Sequence, residues 1–331
     1  MARYLACGNI LYDTVESIDD VDLGEHLGGQ AMYATAGIRL WTKSVKTVSS
    51  VGADYKDGYS PWFRANGLTE SGLSVESDYC SHVVMHHTKS GAYDIIPTPA
   101  GLKYVEYEQG YLETKPENIE RAIDPDTVAF YHHTHLPDTV IFGKLRDIME
   151  KHGVRFMWEI MYVPGRTQME SPYFNMDKLR AAVKTAGMWS LNRNEAADIF
   201  RIPRDRDEDI ITELLKFEGA EMCYYRCGSK GAYVVTGNNA YFCPMIDVTE
   251  SVDPMGCGNN STAASMYAWC ETGNPLMTAV MSAISAGYNA AQSGPWPVFT
   301  DEDMKHAREL ALRYYGELVG KYPDLPREIQ F

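Results

Sequence analysis

From residue 118 to residue 218, short apolar runs alternate with amphipathic runs, and this rhythm constrains the fold more than any other feature of the chain. ENIERAI reads as helix, TVAFYHH as strand, DTVIFGKLRDIMEKHG as a helix closed by glycine, and VRFMWEI as strand. MDKLRAAVKTA reads as helix and GMWSLN as strand; RNEAADIF and EDIITELLKFEG open two more helices before the strands EMCYYRCG and GAYVVTG. Strands that alternate with amphipathic helices argue for a parallel sheet with helices on both faces. With 331 residues, 45% of them hydrophobic, the chain can bury one large core and carry a small appendage.

The N-terminal part departs from that rhythm. Residues 3–10 read as a short strand ending at glycine; DTVESIDDVDLGEHLGG then leaves the main body and returns at Gly28 and Gly29. QAMYATAGIRLW reads as a helix opening behind that turn, VKTVSSVG as a strand, and DYKDGYSPWFRANGL as a loop with a short helix. HVVMHHTKS, GAYDIIP and KYVEYEQG are short β-type runs split by turn residues, the pattern of an antiparallel insertion. The expected organisation is an α/β core of residues 1–11, 28–80 and 111–331, with a β lid of residues 12–27 and 81–110. Toward the C-terminus come two helical runs rich in Ala, Ser and Gly, then an amphipathic helix over 301–319 whose first turn carries Asp301, Glu302 and Asp303.

The formal net charge of −15 argues against a general nucleic-acid or anionic-membrane surface. No run of about 18 apolar residues is present, so no membrane span is expected. The start carries no secretory pattern, and the seven scattered cysteines read as buried free thiols, which suits the cytoplasm. Cys223 and Cys227 lack a partner pair at zinc-site spacing.

The stretch DPMGCGNN, Asp253 to Asn260, carries the chemistry. Gly256 and Gly258 let the backbone turn its N–H groups toward one point. A helix beginning near Asn259 would aim its unpaired N–H groups and its dipole at the same point, where a phosphate fits. A structural turn before a packed helix would look the same.

Here the chain resembles the ribokinase-like, PfkB-type family of carbohydrate and nucleoside kinases. That family carries Asp-Thr-x-Gly-Ala-Gly-Asp where this chain reads Asp253-Pro254-Met255-Gly256-Cys257-Gly258-Asn259. Its Asn-x-x-Glu appears as Asn192-Arg193-Asn194-Glu195, its Gly-Gly turn as Gly28-Gly29, and its Gly-x-Lys-Gly-Ala element as Gly228-Ser229-Lys230-Gly231-Ala232. The resemblance spans roughly residues 3 to 296. It implies a three-layer ribokinase-like fold with a β lid, and ATP with Mg²⁺ as cofactors for phosphorylating a sugar-like or nucleoside-like alcohol. By resemblance Asp13, Gly28 and Gly29 line the acceptor pocket, Asn192 and Glu195 organise magnesium through water, and Gly256, Cys257 and Gly258 form the anion hole. Gly228, Gly231 and Asn289 would border the nucleotide.

The departures concern the same site. Asn259 falls on the family's catalytic Asp, and a carboxamide is no base. Tyr33 stands near the family's sugar-contacting Asn, and Pro254 replaces the motif Thr. Three readings follow: a kinase using another carboxylate such as Asp253, a non-catalytic nucleotide- or sugar-binding regulator, or an ATP-independent enzyme reusing the anion hole. His132, His133 and His135 close a strand, where sheet ligands gather. Arg166, in PGRTQ, reads either as a surface-loop arginine or as a cation that meets a phosphate of the substrate complex. Lid strands with exposed edges offer a homodimer contact.

Overall fold

The computed structural model describes residues 1–16, 22–87, 93–96, 112, 114–135, 139–161, 176–237, 239–329 and 331. Among these, nine strands form one sheet: β1 (Tyr4–Cys7), β4 (Val45–Gly52), β5 (Leu73–Ser77), β8 (Ala129–His135), β9 (Arg155–Met161), β10 (Gly187–Asn192), β11 (Met222–Arg226), β12 (Ala232–Thr236) and β13 (Asn239–Cys243). A second, smaller sheet holds β2 (Leu11–Glu16), β3 (Asp22–Gly28), β6 (Ser81–His87) and β7 (Tyr93–Ile96). The large sheet runs β13-β12-β11-β10-β9-β8-β1-β4-β5, and every pairing from β11 to β5 is parallel. The last two strands turn back as antiparallel hairpins, so the sheet is mostly rather than wholly parallel.

Helices cover both faces. One face carries α1 (Gln30–Arg39), α2 (Tyr55–Ala65), α8 (Cys257–Thr272), α9 (Pro275–Ala290) and α10 (Asp301–Leu318). The other carries α3 (Pro116–Ala122), α4 (Thr139–His152), α5 (Met176–Ala186), α6 (Arg193–Phe200) and α7 (Asp207–Leu214). Strand alternation feeds the two cores separately: Phe130, Phe156, Trp158 and Trp189 point to the α4–α5 side, whereas Tyr131, Met157 and Met188 point to the α8 side. Burial on both faces is clearest in β4, where all eight residues are buried, the polar Lys46, Thr47, Ser49 and Ser50 included. This is the three-layer ribokinase-like architecture with a small β lid.

Three details differ from the sequence reading. The small sheet is mixed, since β6 pairs parallel with β2 and antiparallel with β7. β5 is a partly exposed edge strand whose LSVES sequence lacks the apolar content that marks the central strands. α2 is an eleven-residue helix despite its internal Pro61, because Tyr55, Tyr59, Trp62 and Phe63 recur at helical spacing and are buried together. KYVEYEQG lies outside the described residues. Among the described residues, no helix is long and apolar enough to cross a membrane.

Candidate active site

The parallel strands deliver their C-terminal ends to one edge of the sheet, and the start of α8 arrives over that edge. The register puts Ser190 beside Glu159 and Asn192 beside Arg226. Counting by twos from the core residues Met157, Met188 and Tyr224, the side chains of Glu159, Ser190 and Arg226 fall on the α8 face, as does Tyr131. A patch of polar groups therefore lies beneath the first turn of α8.

The turn before α8 is braced from behind. The Asp253 carboxylate accepts the Met255 N–H at 2.9 Å, and the N–H groups of Val252 and Asp253 both donate to the Ala290 carbonyl. The Asn289 amide, almost fully buried, donates to the Met255 carbonyl at 2.6 Å. Gly256 caps the helix at φ 74°, where a Cβ would also lie 2.2 Å from the Tyr33 ring. A Cβ on Gly258 would lie 2.3 Å from Nη1 of Arg226. The two glycines thus admit an aromatic ring and a guanidinium against the same turn. α8 begins at Cys257, two residues before the sequence suggested, so Gly258 and Asn259 sit in its first turn, where N–H groups lack intrahelical partners. Burial pushes the Cys257 thiol up to about 11, so it is no thiolate nucleophile at neutral pH.

Asn259 is joined to the polar patch. Its Nδ2 donates to Tyr131 Oη at 3.0 Å and to Glu159 Oε2 at 3.1 Å, while Tyr131 donates to the same carboxylate oxygen at 2.5 Å. Arg226 pairs with the other Glu159 oxygen at 2.9 Å, approaches Glu195 at 3.6 Å, and donates from Nε to Ser190 at 3.2 Å. Burial, reinforced by Glu159, holds the Tyr131 phenol far above its ordinary value, so it stays a donor. Glu195 belongs to the capping box that opens α6, in which it accepts the Asn192 N–H at 2.5 Å and the Asn192 side chain accepts the Glu195 N–H at 2.9 Å. Burial pushes the Glu195 carboxyl up to about 7, against the downward pull of Arg226.

Asp13 stands on β2, at the return from the small sheet. It leaves the β2 strand 1% exposed, so close to Gly28 that a Cβ there would lie 1.7 Å from its Oδ2. Among the described residues neither carboxyl oxygen has a well-formed hydrogen-bond partner, and the Gly29 N–H supports it only weakly. Burial and then the charge of Asp253 push this carboxyl up to about 8.

The family described as pfkB family carbohydrate kinase matches residues 8–294. The chain belongs to the pfkB family. Among solved structures it is similar to Burkholderia thailandensis nucleoside kinase in complex with inosine, at 16% identity and TM-score 0.66, covering 95% of this chain and 96% of that one. It is also similar to adenosine kinase from Sinorhizobium meliloti, at 15% identity and TM-score 0.69 over 93% and 99% of the two chains. Ribokinase from Giardia lamblia aligns at 14% identity and TM-score 0.65 over 93% and 100%. At these identities the likeness is one of fold. No curated protein sequence matches the chain.

In this pfkB-family protein the residues singled out from the sequence fall into three groups. Asp13, Gly28 and Gly29 meet at the return from the small sheet, and Tyr33 packs on Gly256. Asp253, Gly256, Cys257, Gly258, Asn259 and Asn289 form the braced turn. Asn192 caps α6 together with Glu195, and Glu195 approaches Arg226, which lies against that turn. Gly228 and Gly231 flank a short 3-10 turn just beyond Arg226, with Gly228 exposed. Arg166 lies outside the described residues. His132 is buried, its ring at 3.3 Å from the Cys7 carbonyl, and burial lowers it to about 4, so it is a neutral core residue. Among the described residues no group of three or more His, Cys, Asp or Glu is arranged to hold a metal ion.

Sequence reasoning gave no role to Tyr131, Glu159 or Arg226. Each lies on a strand whose neighbouring positions feed the core. The available signal was parity: VRFMWE and EMCYYR both end on a charge two residues beyond a core residue of the α8 face.

Proposed function

We propose that the protein is a small-molecule phosphotransferase. It binds a sugar-like or nucleoside-like alcohol between the β lid, residues 12–27 and 81–110, and the start of α8, and moves the terminal phosphoryl group of ATP onto one hydroxyl. The observation that carries this reading is the buried Asp13 carboxyl, whose oxygens have no well-formed partner among the described residues: an acceptor suited to hydroxyl groups, in a chain whose Gly256–Gly258 turn is suited to an anion. Phosphoryl transfer needs alignment and charge stabilisation more than covalent help. The first-turn N–H groups of Gly258 and Asn259 would meet the transferring group. Gly228, Gly231 and Asn289 would border the nucleotide.

The residues present fit a nucleotide-borne Mg²⁺. No protein cage is needed where phosphates and waters supply most ligands, and Glu195 with Asn192 would act from the outer sphere. Bound there, the metal would offset phosphate charge. Asn259 stands where the family has its base, and it contributes a hydrogen-bond acceptor instead. Loss of a base costs typically 10²–10⁴-fold, so slow turnover is expected. The edges of the lid, β3 and β7, would serve a homodimer.

Isothermal titration with ATP and Mg²⁺, with and without pooled sugars and nucleosides, tests the reading. Magnesium-dependent nucleotide binding strengthened by one pool, followed by ADP release, supports it. No nucleotide binding at millimolar concentration overturns it. A second reading, a regulator that binds ligand without turnover, is favoured by the Arg226 guanidinium and the Tyr33 ring lying on the two glycines of the turn. Tight binding with no ADP release would select it.

A further inference from the structure

The surroundings of Asn259 decide which way its amide faces. Glu159 is almost fully buried and paired with Arg226 at 2.9 Å, so its carboxylate acts only as an acceptor. The end of the amide that approaches it must be the NH₂ group. Tyr131, having committed its proton to Glu159, receives the amide's other contact as an acceptor. Both contacts of Asn259 with the network thus engage Nδ2, which leaves Oδ1 on the half-buried residue outside the network.

We propose that Glu159 is a positioning residue that locks Asn259 with its carbonyl oxygen turned away from the Tyr131–Glu159 network, so that a hydroxyl or water is oriented by an acceptor at the start of α8. In this arrangement amide and carboxylate are an exchangeable pair, with the charge kept on β9 beside Arg226 and the neutral group on α8. For its consequence in catalysis the inference rests on the phosphotransferase reading; for the lock itself it does not.

The pair makes a strong statement about mutants. Asn259→Asp alone would set a second carboxylate about where Nδ2 now lies, 3.1 Å from Glu159, with Arg226 as the shared counter-ion. Adding Glu159→Gln swaps the two groups and removes the clash. Like charge at that range raises the new carboxyl's pKa, so the penalty grows as pH rises beyond the usual carboxylate range.

The experiment compares the parent, N259D, E159Q and N259D/E159Q as full chains. Thermal melting is followed from pH 5 to pH 8.5. The side-chain NH₂ signals of Asn259, identified by their loss in N259D, are followed by ¹⁵N NMR in the parent and E159Q. The lock predicts that N259D melts lower than the parent at pH 8 and closer to it at pH 5, and that the double variant recovers at least half of the loss. It predicts shifted, slowly exchanging NH₂ signals in the parent that move toward free-amide values in E159Q. A merely structural Glu159 would change melting without that spectral change, and this result overturns the proposal. Equal melting of N259D and parent at pH 8 also overturns it.

ADP release from ATP with Mg²⁺ and the pooled acceptors supplies the kinetic arm. E159Q should lower kcat about tenfold or more, as misalignment does, with KM for ATP nearly unchanged. Equal loss in both overturns the positioning role. If none of the four proteins releases ADP, the phosphotransferase reading fails by itself, and melting with NMR still decides the lock.

Discussion

Arg226 holds one guanidinium between two buried carboxylates, Glu159 and Glu195, against the first turn of α8. Arg226→Gln leaves those carboxylates without their counter-ion. Breaking such a pair costs about 3–5 kcal/mol, and denaturant unfolding at pH 7.5 should show a loss of that order. The deficit should shrink at pH 5, because protonating Glu195, already raised to about 7, removes one of the charges. Gly256→Ala meets two obstacles, the left-handed backbone and the Tyr33 ring at 2.2 Å from the new Cβ. We expect a loss above 2 kcal/mol, made of about 1 kcal/mol of backbone strain and an overpacking cost of about 1–3 kcal/mol. Gly256→Ala combined with Tyr33→Ala should recover only the steric share, which a double-mutant cycle measures. These residues were unequally legible. Gly256 announces itself through its neighbours in the chain, whereas Arg226 and Glu159, 67 positions apart by their numbers, become partners only through strand register.

At the scale of elements, α1, α8 and α9 meet through small side chains. Gly37 of α1 lies so near α8 that a Cβ would stand 2.1 Å from the Asn260 carbonyl oxygen. Gly37→Ala must push the helices apart, and the expected cost is about 1–3 kcal/mol, read as a lower urea midpoint. The displaced α8 also carries Asn259, so weakened nucleotide binding should accompany the loss. The capping box of α6 is a more local device: Asn192→Ala should cost about 1 kcal/mol through the lost Glu195 N–H bond. Helices and central strands were readable because their periods are local and their faces are uniformly buried. The parallel pairing of β2 with β6 and the edge strand β5 were not, since both depend on which backbone lies alongside.

Two carboxyls, Asp13 at about 8 and Glu195 at about 7, shape the stability of the whole molecule with pH. Both lie above the ordinary carboxylate value, so between that value and the raised one the folded chain binds more protons than the unfolded chain. Stability from these groups is therefore fully present at low pH and is lost as pH rises through 7 and 8, with a slope of at most about 1.4 kcal/mol per pH unit per group. Asp13→Asn should flatten the decline between pH 5 and pH 8.5 in chemical denaturation. If a substrate hydroxyl donates to ionised Asp13, binding lowers that pKa and releases protons, visible as a buffer-dependent heat.

The sequence alone determined the mostly parallel α/β layering and the tight turn into α8, because both arise from local periodicity and from the conformations open to Gly256 and Gly258. It also placed Asn259 at the head of that helix. What Asn259 touches was decided only by tertiary structure. Four strands had to align before Tyr131, Glu159, Ser190 and Arg226 shared one face, and before a buried ion pair could orient the amide. The physical reason is range: backbone conformation responds to the nearest few residues, whereas a buried charge is defined by whatever the fold brings within a few ångströms.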